Sequence, residues 1–138
     1  MRLHRDAKID LLKGVPLFAN CSKSELQQIA SLADELDLGE GATLIREGER
    51  GREFIVVAEG TVSVTRNGKH IRDLGSGDFI GEIALVADVP RTATVTATSP
   101  VRLLVVTDRG FRGLLEQMPS IATKVLQSLG ERMHSDAF

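Results

Sequence analysis

Three residues within one short stretch have the chemistry to bind a polar ligand: Gly81, Glu82 and Arg91. Gly81 lets another group approach the backbone closely, and residues 82–86 can form one or two helical turns whose free N–H groups attract an anion. Arg91 can offer a fork of donors to the same anion. Glu82 only accepts hydrogen bonds when ionised, so it requires a donor such as a sugar hydroxyl. The pattern predicts a ligand that carries both a phosphate and a ribose.

Short, turn-rich segments flank this stretch, which spans residues 79–95 and does not itself resemble a strand. Nine of the 13 glycines lie between Gly39 and Gly81 and divide the chain into short segments. The Asn67-Gly68 pair is a strong hairpin signal because both residues tolerate a positive φ. Alternating or apolar runs predict strands at residues 42–46, 54–58, 61–66, 69–74, 92–98 and 101–106.

Helical patterns lie on both sides of these strands. Residues 5–13 and 23–33 are predicted helices, and Ser22 with Glu25 matches the capping box that begins the second. Asp108 is expected to cap a third helix, and Pro119 fits the first position of a fourth that runs to about residue 134. One apolar stripe is predicted on the last helix, formed by Ile121, Ala122, Val125, Leu126, Leu129 and Met133.

The order of elements predicts an α+β fold that is mainly β. We expect an antiparallel β-roll, or jelly roll, with N-terminal helices and two C-terminal helices. A chain of 138 residues corresponds to one domain. Its expected parts are an N-terminal helical segment at 1–35, the β-roll at 36–107 and the C-terminal helices at 108–138.

The sequence resembles one known family over roughly residues 10–133. Residues 79–85, Phe-Ile-Gly-Glu-Ile-Ala-Leu, followed by residues 90–95, Pro-Arg-Thr-Ala-Thr-Val, are similar to the phosphate-binding cassette of cyclic nucleotide-binding domains. The likeness extends to Pro-Leu-Phe at 16–18, to Glu-Gly at 47–48 and 59–60, and to Pro119. Ile80 is a departure, because many members have glycine at that position.

The resemblance implies a role for each cassette residue. The cyclic phosphate would be cradled by Gly81 and by the backbone amides of Glu82, Ile83, Ala84 and Leu85. Glu82 would accept a hydrogen bond from the ribose 2′-hydroxyl, and Arg91 would pair with the phosphate charge.

Two further residues are implicated by the same resemblance. Thr92 would contact the phosphate or the base edge, and Arg132 on the final helix would reach over the purine, with Met133 as a second possible cover. The expected ligand is cAMP rather than cGMP, although Thr92 does not distinguish them. For a sensor, we further hypothesise that the C-terminal helices move when the ligand binds and that the helix from about residue 120 to 134 folds over the base.

Other interpretations of the same residues stay open. Glu82 and Arg91 could form an ion pair in a ligand-free interaction or scaffold domain of the same fold. A metal-dependent enzyme of the cupin type would need clustered histidines, whereas His4, His70 and His134 are scattered. We therefore predict no catalytic residues, no metal site and no cofactor apart from the nucleotide ligand.

Composition limits the possible partners and surroundings. The net charge is −2 and only five aromatic residues are present, all Phe, which argues against direct binding of nucleic acid or a membrane surface. The single cysteine, Cys21, favours a reducing cytoplasmic setting and is expected to be a packed small hydrophobe. Expected partners are a cyclic nucleotide, an effector domain or protein, and a second copy bound through the C-terminal helix.

Overall fold

The elements of the chain alternate between helical ends and a central β region. The computed structural model describes residues 3–137, with the backbone alone at position 82 and at positions 132–137. The helices are α1 Arg5–Lys13, α2 Lys23–Leu32, α3 Asp108–Gln117 and α4 Pro119–Ala137, with 3₁₀ turns at Pro16–Phe18 and Glu82–Leu85. The strands are β1 Asp34–Leu38, β2 Thr43–Ile45, β3 Glu53–Glu59, β4 Val62–Arg66, β5 Lys69–Leu74, β6 Phe79–Ile80, β7 Thr94–Ala97 and β8 Val101–Thr107.

The strands form two four-stranded sheets that face each other. The first has the order β1-β8-β3-β6 and the second the order β2-β7-β4-β5, and all the pairs are antiparallel. Asn67 and Gly68 have φ of 52° and 77° and close the β4–β5 hairpin, as their types predict. The predicted jelly roll with flanking helices is confirmed.

Strands β3 and β8 are buried on both faces, which explains their nearly continuous apolar sequences. From β3, Phe54 and Val56 face the helices, whereas Ile55 and Val57 face the second sheet. The first sheet, which is central in the fold, therefore divides the interior into a helix-side core and an inter-sheet core.

Three phenylalanine rings connect the helices to the central sheet. The ring of Phe18 lies 5.9 Å from that of Phe54 and 5.7 Å from that of Phe111, measured between centroids. All three side chains are at most 1% exposed. Such aromatic pairs contribute about 0.5–1.5 kcal/mol each beyond the area that they bury. They fix the N-terminal segment and α3 on one face of the sheet.

Two strands were not predicted. β1 contains three acidic residues in five, and it pairs along its whole length with β8 at the edge of the first sheet. Acidic residues disfavour strands, but at this edge Asp34 and Asp37 reach water, and Glu35 accepts from the Leu3 N–H and pairs with Lys8. β6 has only two residues, Phe79 and Ile80, which pair with Val56 and Ile55 of β3. The prediction that no strand begins at residue 79 was wrong because tertiary pairing, not local pattern, creates this one.

The helix caps were predicted with mixed success. Ser22 and Glu25 form both hydrogen bonds of the capping box, at 3.2 and 2.8 Å. Asp108, however, is not the cap of α3. Thr107 is the N-cap, and its hydroxyl accepts from the Gly110 N–H at 3.1 Å. Asp108 instead lies in the first turn, where its charge favours the helix dipole.

A polar network attaches α4 to the N-terminal helices. Glu25 is only 5% exposed, yet its carboxylate accepts hydrogen bonds from the Ser120 hydroxyl at 2.7 Å and from the Lys124 ammonium. The Lys124 ammonium, then the Ser22 N–H and the Ser120 hydroxyl, lower the pKa of Glu25 to about 2. One turn further on, the Asn20 amide donates to the buried Ser128 hydroxyl at 3.0 Å.

The single apolar stripe predicted on α4 divides into two parts. Ile121 and Val125 are buried, whereas Leu126 is 69% exposed. The side chain of Met133 lies outside the described residues.

Cys21 packs against the helix-side core, where burial raises the pKa of its thiol to about 11, as expected of a small hydrophobe. Within residues 3–137, no helix is apolar enough over a sufficient length to cross a bilayer.

Candidate functional site

The predicted cassette is held by its apolar residues. Phe79 and Ile80 pair with β3, and Gly81 then takes a φ of +80°, a conformation that glycine adopts without strain. In the 3₁₀ turn that follows, Ala84 and Leu85 are 3% and 0% exposed. Their burial anchors one side of the turn in the protein, so its backbone is fixed relative to the sheets.

The turn leaves backbone donors available beside Gly81. The Ala84 N–H donates to the Gly81 carbonyl at 3.0 Å. In a turn of this kind, the first N–H groups, here those of Glu82 and Ile83, have no carbonyl within the turn to accept from them. They are the two cassette amides best suited to receive an anion.

A cavity of about 680 Å³ opens between the cassette and the second sheet. Its volume lies within the usual range for small-ligand sites, about 300–1,000 Å³. The predicted residues Gly81, Ile83, Ala84, Arg91 and Thr92 line it. Also lining it are Ile45, Val64, Arg66, Ile71, Arg72, Leu74, Asp78, Phe79, Ile80, Val89, Pro90, Ala93 and Val95.

Three predicted residues do not contribute described side chains to this cavity. Leu85 is fully buried in the helix-side core, so only its backbone belongs to the cassette. The side chains of Glu82 and Arg132 lie outside the described residues. Their backbones are described, in the 3₁₀ turn and in α4 respectively.

Arg91 provides the positive charge of the cavity. Its side chain is half-buried, and its Nη2 donates to the backbone carbonyl of Glu53. Burial lowers the pKa of the guanidinium, while the nearby Glu53 carboxylate opposes that shift. Among the side chains that the structure describes, no carboxylate forms a salt bridge with Arg91. A cation desolvated in this way favours an anionic ligand.

The β2–β3 loop holds the backbone of Arg91 from the other side. The Gly48 N–H donates to the Arg91 carbonyl at 2.8 Å, and the Arg91 N–H donates to the Glu49 carbonyl at 2.7 Å. The Arg50 side chain forms a salt bridge with Asp88 at 3.1 Å. These contacts form a short antiparallel ribbon, so the position of Arg91 depends on a loop about forty residues earlier.

The β4–β5 hairpin fixes Thr92 in the same manner. Arg66 lies at the end of β4, and its Nε donates to the Thr92 carbonyl at 2.9 Å. The Glu47 carboxylate accepts from the Asn67 N–H at 3.0 Å and so ties the hairpin turn to the β2–β3 loop. The Thr92 side chain is exposed. Its hydroxyl is therefore accessible at the rim of the cavity.

Part of the cavity lining is apolar and exposed. Ile71, Ile83 and Val89 belong to this part and are 49%, 39% and 42% exposed. Large aliphatic side chains at the mouth of a cavity can cover a flat ring. The site thus combines a guanidinium and backbone donors with exposed aliphatic side chains, which suits an anionic ligand that carries a planar base.

Several residues of the site were not predicted from the sequence. Gly51, Arg66, Arg72 and Val89 lie in or against the cavity, yet none belongs to the motif at 79–85 or 90–95. Only Arg66 had a usable signal. It immediately precedes the Asn67-Gly68 turn, and the hairpin that follows carries it to the edge of the second sheet.

The described residues provide little for acid–base or metal chemistry. His70 pairs with Asp73 at 2.8 Å, but both side chains are more than half exposed. Across the described part of the chain, no three residues among His, Cys, Asp and Glu are grouped as metal ligands would be.

Comparison with known proteins identifies similar sequences and folds. The family model of the cyclic nucleotide-binding domain matches residues 35–118. The cAMP-dependent protein kinase regulatory subunit of Mycosarcoma maydis is 38% identical over 119 residues, covering 80% of this chain and 23% of that protein. A cGMP-dependent protein kinase (isozyme 2) of Drosophila melanogaster is 35% identical over 120 residues, covering 81% of this chain and 13% of that protein. The chain thus spans less than a quarter of either relative.

A solved structure matches over nearly the whole chain. The N-terminal domain of a transcriptional regulator from Streptomyces coelicolor A3(2) superposes with a TM-score of 0.87 at 31% identity. The match covers 92% of this chain and 94% of that one. The likeness therefore includes the flanking helices as well as the β-roll.

Proposed function

Because the chain belongs to the cyclic nucleotide-binding domain family, we propose that it binds a cyclic nucleotide in the cavity beside the cassette and acts as a regulatory sensor. The observation that carries the proposal is the environment of Arg91. This half-buried guanidinium lines the cavity and lies against Gly81 at the start of the cassette turn. A cyclic phosphate bound there would place its negative charge against this cation, instead of the ion pair with Glu82 that a ligand-free domain could form.

The cassette residues would divide the sugar-phosphate between them. The amides of Glu82 and Ile83 and the guanidinium of Arg91 would bind the phosphate oxygens, because all three are donors at one end of the cavity. The Glu82 carboxylate would accept a hydrogen bond from the ribose 2′-hydroxyl. Thr92 would add its exposed hydroxyl at the phosphate or at the edge of the base.

The purine would pack against the exposed aliphatic side chains of the cavity, Ile71, Ile83 and Val89. Arg132, on α4, would reach the base only if α4 approaches the cavity. We propose cAMP as the preferred ligand. The identities to cAMP-dependent and cGMP-dependent relatives overlap, at 35–38% and 33–35%, so titration with both nucleotides must decide between them. These aliphatic side chains have no evident preference for adenine.

Calorimetric titration of the chain with cAMP, cGMP and non-cyclic 5′-AMP tests the proposal. We expect micromolar binding of cAMP, weaker binding of cGMP and much weaker binding of 5′-AMP, whose dianionic phosphate is not held in a ring. Tighter binding of cGMP would overturn the ligand preference alone. Heat signals and melting temperatures unchanged by either cyclic nucleotide would favour a ligand-free interaction domain of the same fold.

The output of such a sensor would be a movement of α4. A ligand shifts a conformational equilibrium only if it binds one state better than the other. Contacts from Arg132 to the base would exist only with α4 folded over the cavity, which gives the required difference. Hydrogen exchange of residues 120–134 should therefore slow when cAMP is added. Unchanged exchange there would reject the movement while leaving binding intact.

The sensor would act on an effector rather than catalyse a reaction. The two relatives are a kinase and a kinase regulatory subunit, of which this chain matches only a part, so an effector domain or a separate effector protein is a component of the proposal. A second copy could bind through α4 at the exposed Leu126. Light scattering of the wild type and of Leu126→Glu measures this: a dimer lost in the variant supports it, and a monomeric wild type rejects it.

A further inference from the structure

Gly51 lies directly under the side chain of Arg91. A Cβ atom at position 51 would be 2.8 Å from Nε of Arg91 and 3.0 Å from both Cδ and Cζ. Real Cβ atoms essentially never approach another heavy atom so closely. Gly51 is buried, and Arg91 passes over it to reach the Glu53 carbonyl. A side chain at position 51 would therefore force the flexible Arg91 side chain to shift from this course.

The backbone at Gly51 does not itself require glycine. Its φ is outside the left-handed region, in contrast to Gly81, whose φ is +80°. A Cβ at Gly81 would collide with Nη1 of Arg91, so the guanidinium lies between the two glycines. An alanine at 81 would strain the backbone as well as displace the arginine. An alanine at 51 would act through the arginine alone.

We propose that Gly51 is a positioning residue for ligand binding: it forms the surface on which Arg91 lies and thereby fixes the guanidinium at the cavity wall. The consequence for a cyclic phosphate rests on the proposed function. The contact between Gly51 and Arg91 does not rest on the proposed function, because it exists without a ligand. This makes Gly51 a determinant of affinity that belongs to a loop outside the cassette.

The expected effect of Gly51→Ala follows from the geometry. The added methyl group would push Nε and Cζ of Arg91 away, so the side chain could not keep its bond to the Glu53 carbonyl and its place beside Gly81 together. The charge would remain in the cavity but out of position. We expect the Kd for cAMP to rise about tenfold or more, yet less than on loss of the arginine, since removing one partner of a charge pair costs more than displacing it.

A thermal double-mutant cycle on the ligand-free chain tests the contact. The four proteins are the wild type, Gly51→Ala, Arg91→Ala and the double variant. If the methyl group collides with the guanidinium, Gly51→Ala should lower Tm by about 3 °C or more beyond its effect in the Arg91→Ala background. General effects of alanine on the unfolded chain cancel in this comparison. Equal changes in both backgrounds would overturn the proposal.

Titration with cAMP tests the consequence for binding. Gly39→Ala is the matched control, because Gly39 is exposed, is outside the left-handed region and has no atom within 4 Å of its added Cβ. A tenfold loss in Gly51→Ala with less than a twofold change in Gly39→Ala supports the proposal. An affinity within twofold of the wild type in Gly51→Ala overturns it, whatever the Tm values. If the wild type binds no cyclic nucleotide, the proposed function fails, and the thermal cycle alone decides on the contact.

Discussion

The buried carboxylate of Glu25 allows a quantitative prediction about how α4 is held. Its pKa falls from an ordinary 4.5 to about 2 because Lys124, the Ser22 N–H and Ser120 all donate to it. A difference of that size corresponds to about 3 kcal/mol of folding free energy at neutral pH. Replacement by glutamine keeps the size and one acceptor oxygen but removes the charge. Glu25→Gln should therefore lower the free energy of unfolding by about 2–3 kcal/mol.

Thermal unfolding followed by circular dichroism measures this loss. For a chain of this length, it corresponds to a fall in Tm of about 6–12 °C at pH 7. Glu116→Gln is the control, since Glu116 is exposed on α3, and it should change Tm by about 1 °C or less. The comparison separates the buried network from the general effect of removing one negative charge.

The pH dependence gives a second and independent signature. The folded pKa is lower than the unfolded one, so the stabilisation is present above pH 4.5 and is lost as the pH falls toward 2. The Tm difference between wild type and Glu25→Gln should accordingly shrink to about half or less between pH 7 and pH 3. A difference below 1 °C at pH 7, or an equal difference at both pH values, would refute the assigned network.

Two further predictions concern the corrected cap and the ribose contact. In a urea titration, Thr107→Ala should lower the free energy of unfolding by about 1 kcal/mol, because it removes the acceptor of the Gly110 N–H. Asp108→Ala should lower this free energy by less. A larger loss in Asp108→Ala than in Thr107→Ala would show that Asp108 is the cap after all. Glu82→Ala should weaken cAMP binding by about tenfold, less than loss of Arg91, because its expected partner is a neutral hydroxyl. In calorimetry with 2′-deoxy-cAMP, that variant and the wild type should bind equally, and a persisting difference would contradict the ribose assignment.

Local sequence signals predicted the elements whose causes are local. The capping box of Ser22 and Glu25 and the hairpin turn at Asn67 and Gly68 are set by residues within a few positions of one another. The strands β3 and β8 were recognisable because both of their faces are buried, which gives long apolar runs. The same cues gave the fold class, since they place a β region between helical ends.

The features that the sequence did not predict depend on distant partners. β1 exists because it pairs with β8, about sixty residues later, and its acidic composition conceals it. Gly51 acquires its role from Arg91, and Glu25 acquires its low pKa chiefly from Lys124. The spacing of residues in the sequence does not predict either the Gly51–Arg91 contact or the Glu25–Lys124 pair. The cassette motif predicted residues that line the cavity, whereas the loop that holds Arg91 became apparent only from the packing.

Titration of Arg91→Ala with cAMP tests the central claim most directly. Arg112, an exposed arginine on α3, provides the matched control, because Arg112→Ala removes the same charge away from the cavity. Loss of the phosphate's counter-charge should weaken cAMP binding about 30-fold or more, while Arg112→Ala should stay within twofold of the wild type. An affinity of Arg91→Ala within threefold of the wild type would contradict the assignment of this cavity as the phosphate site.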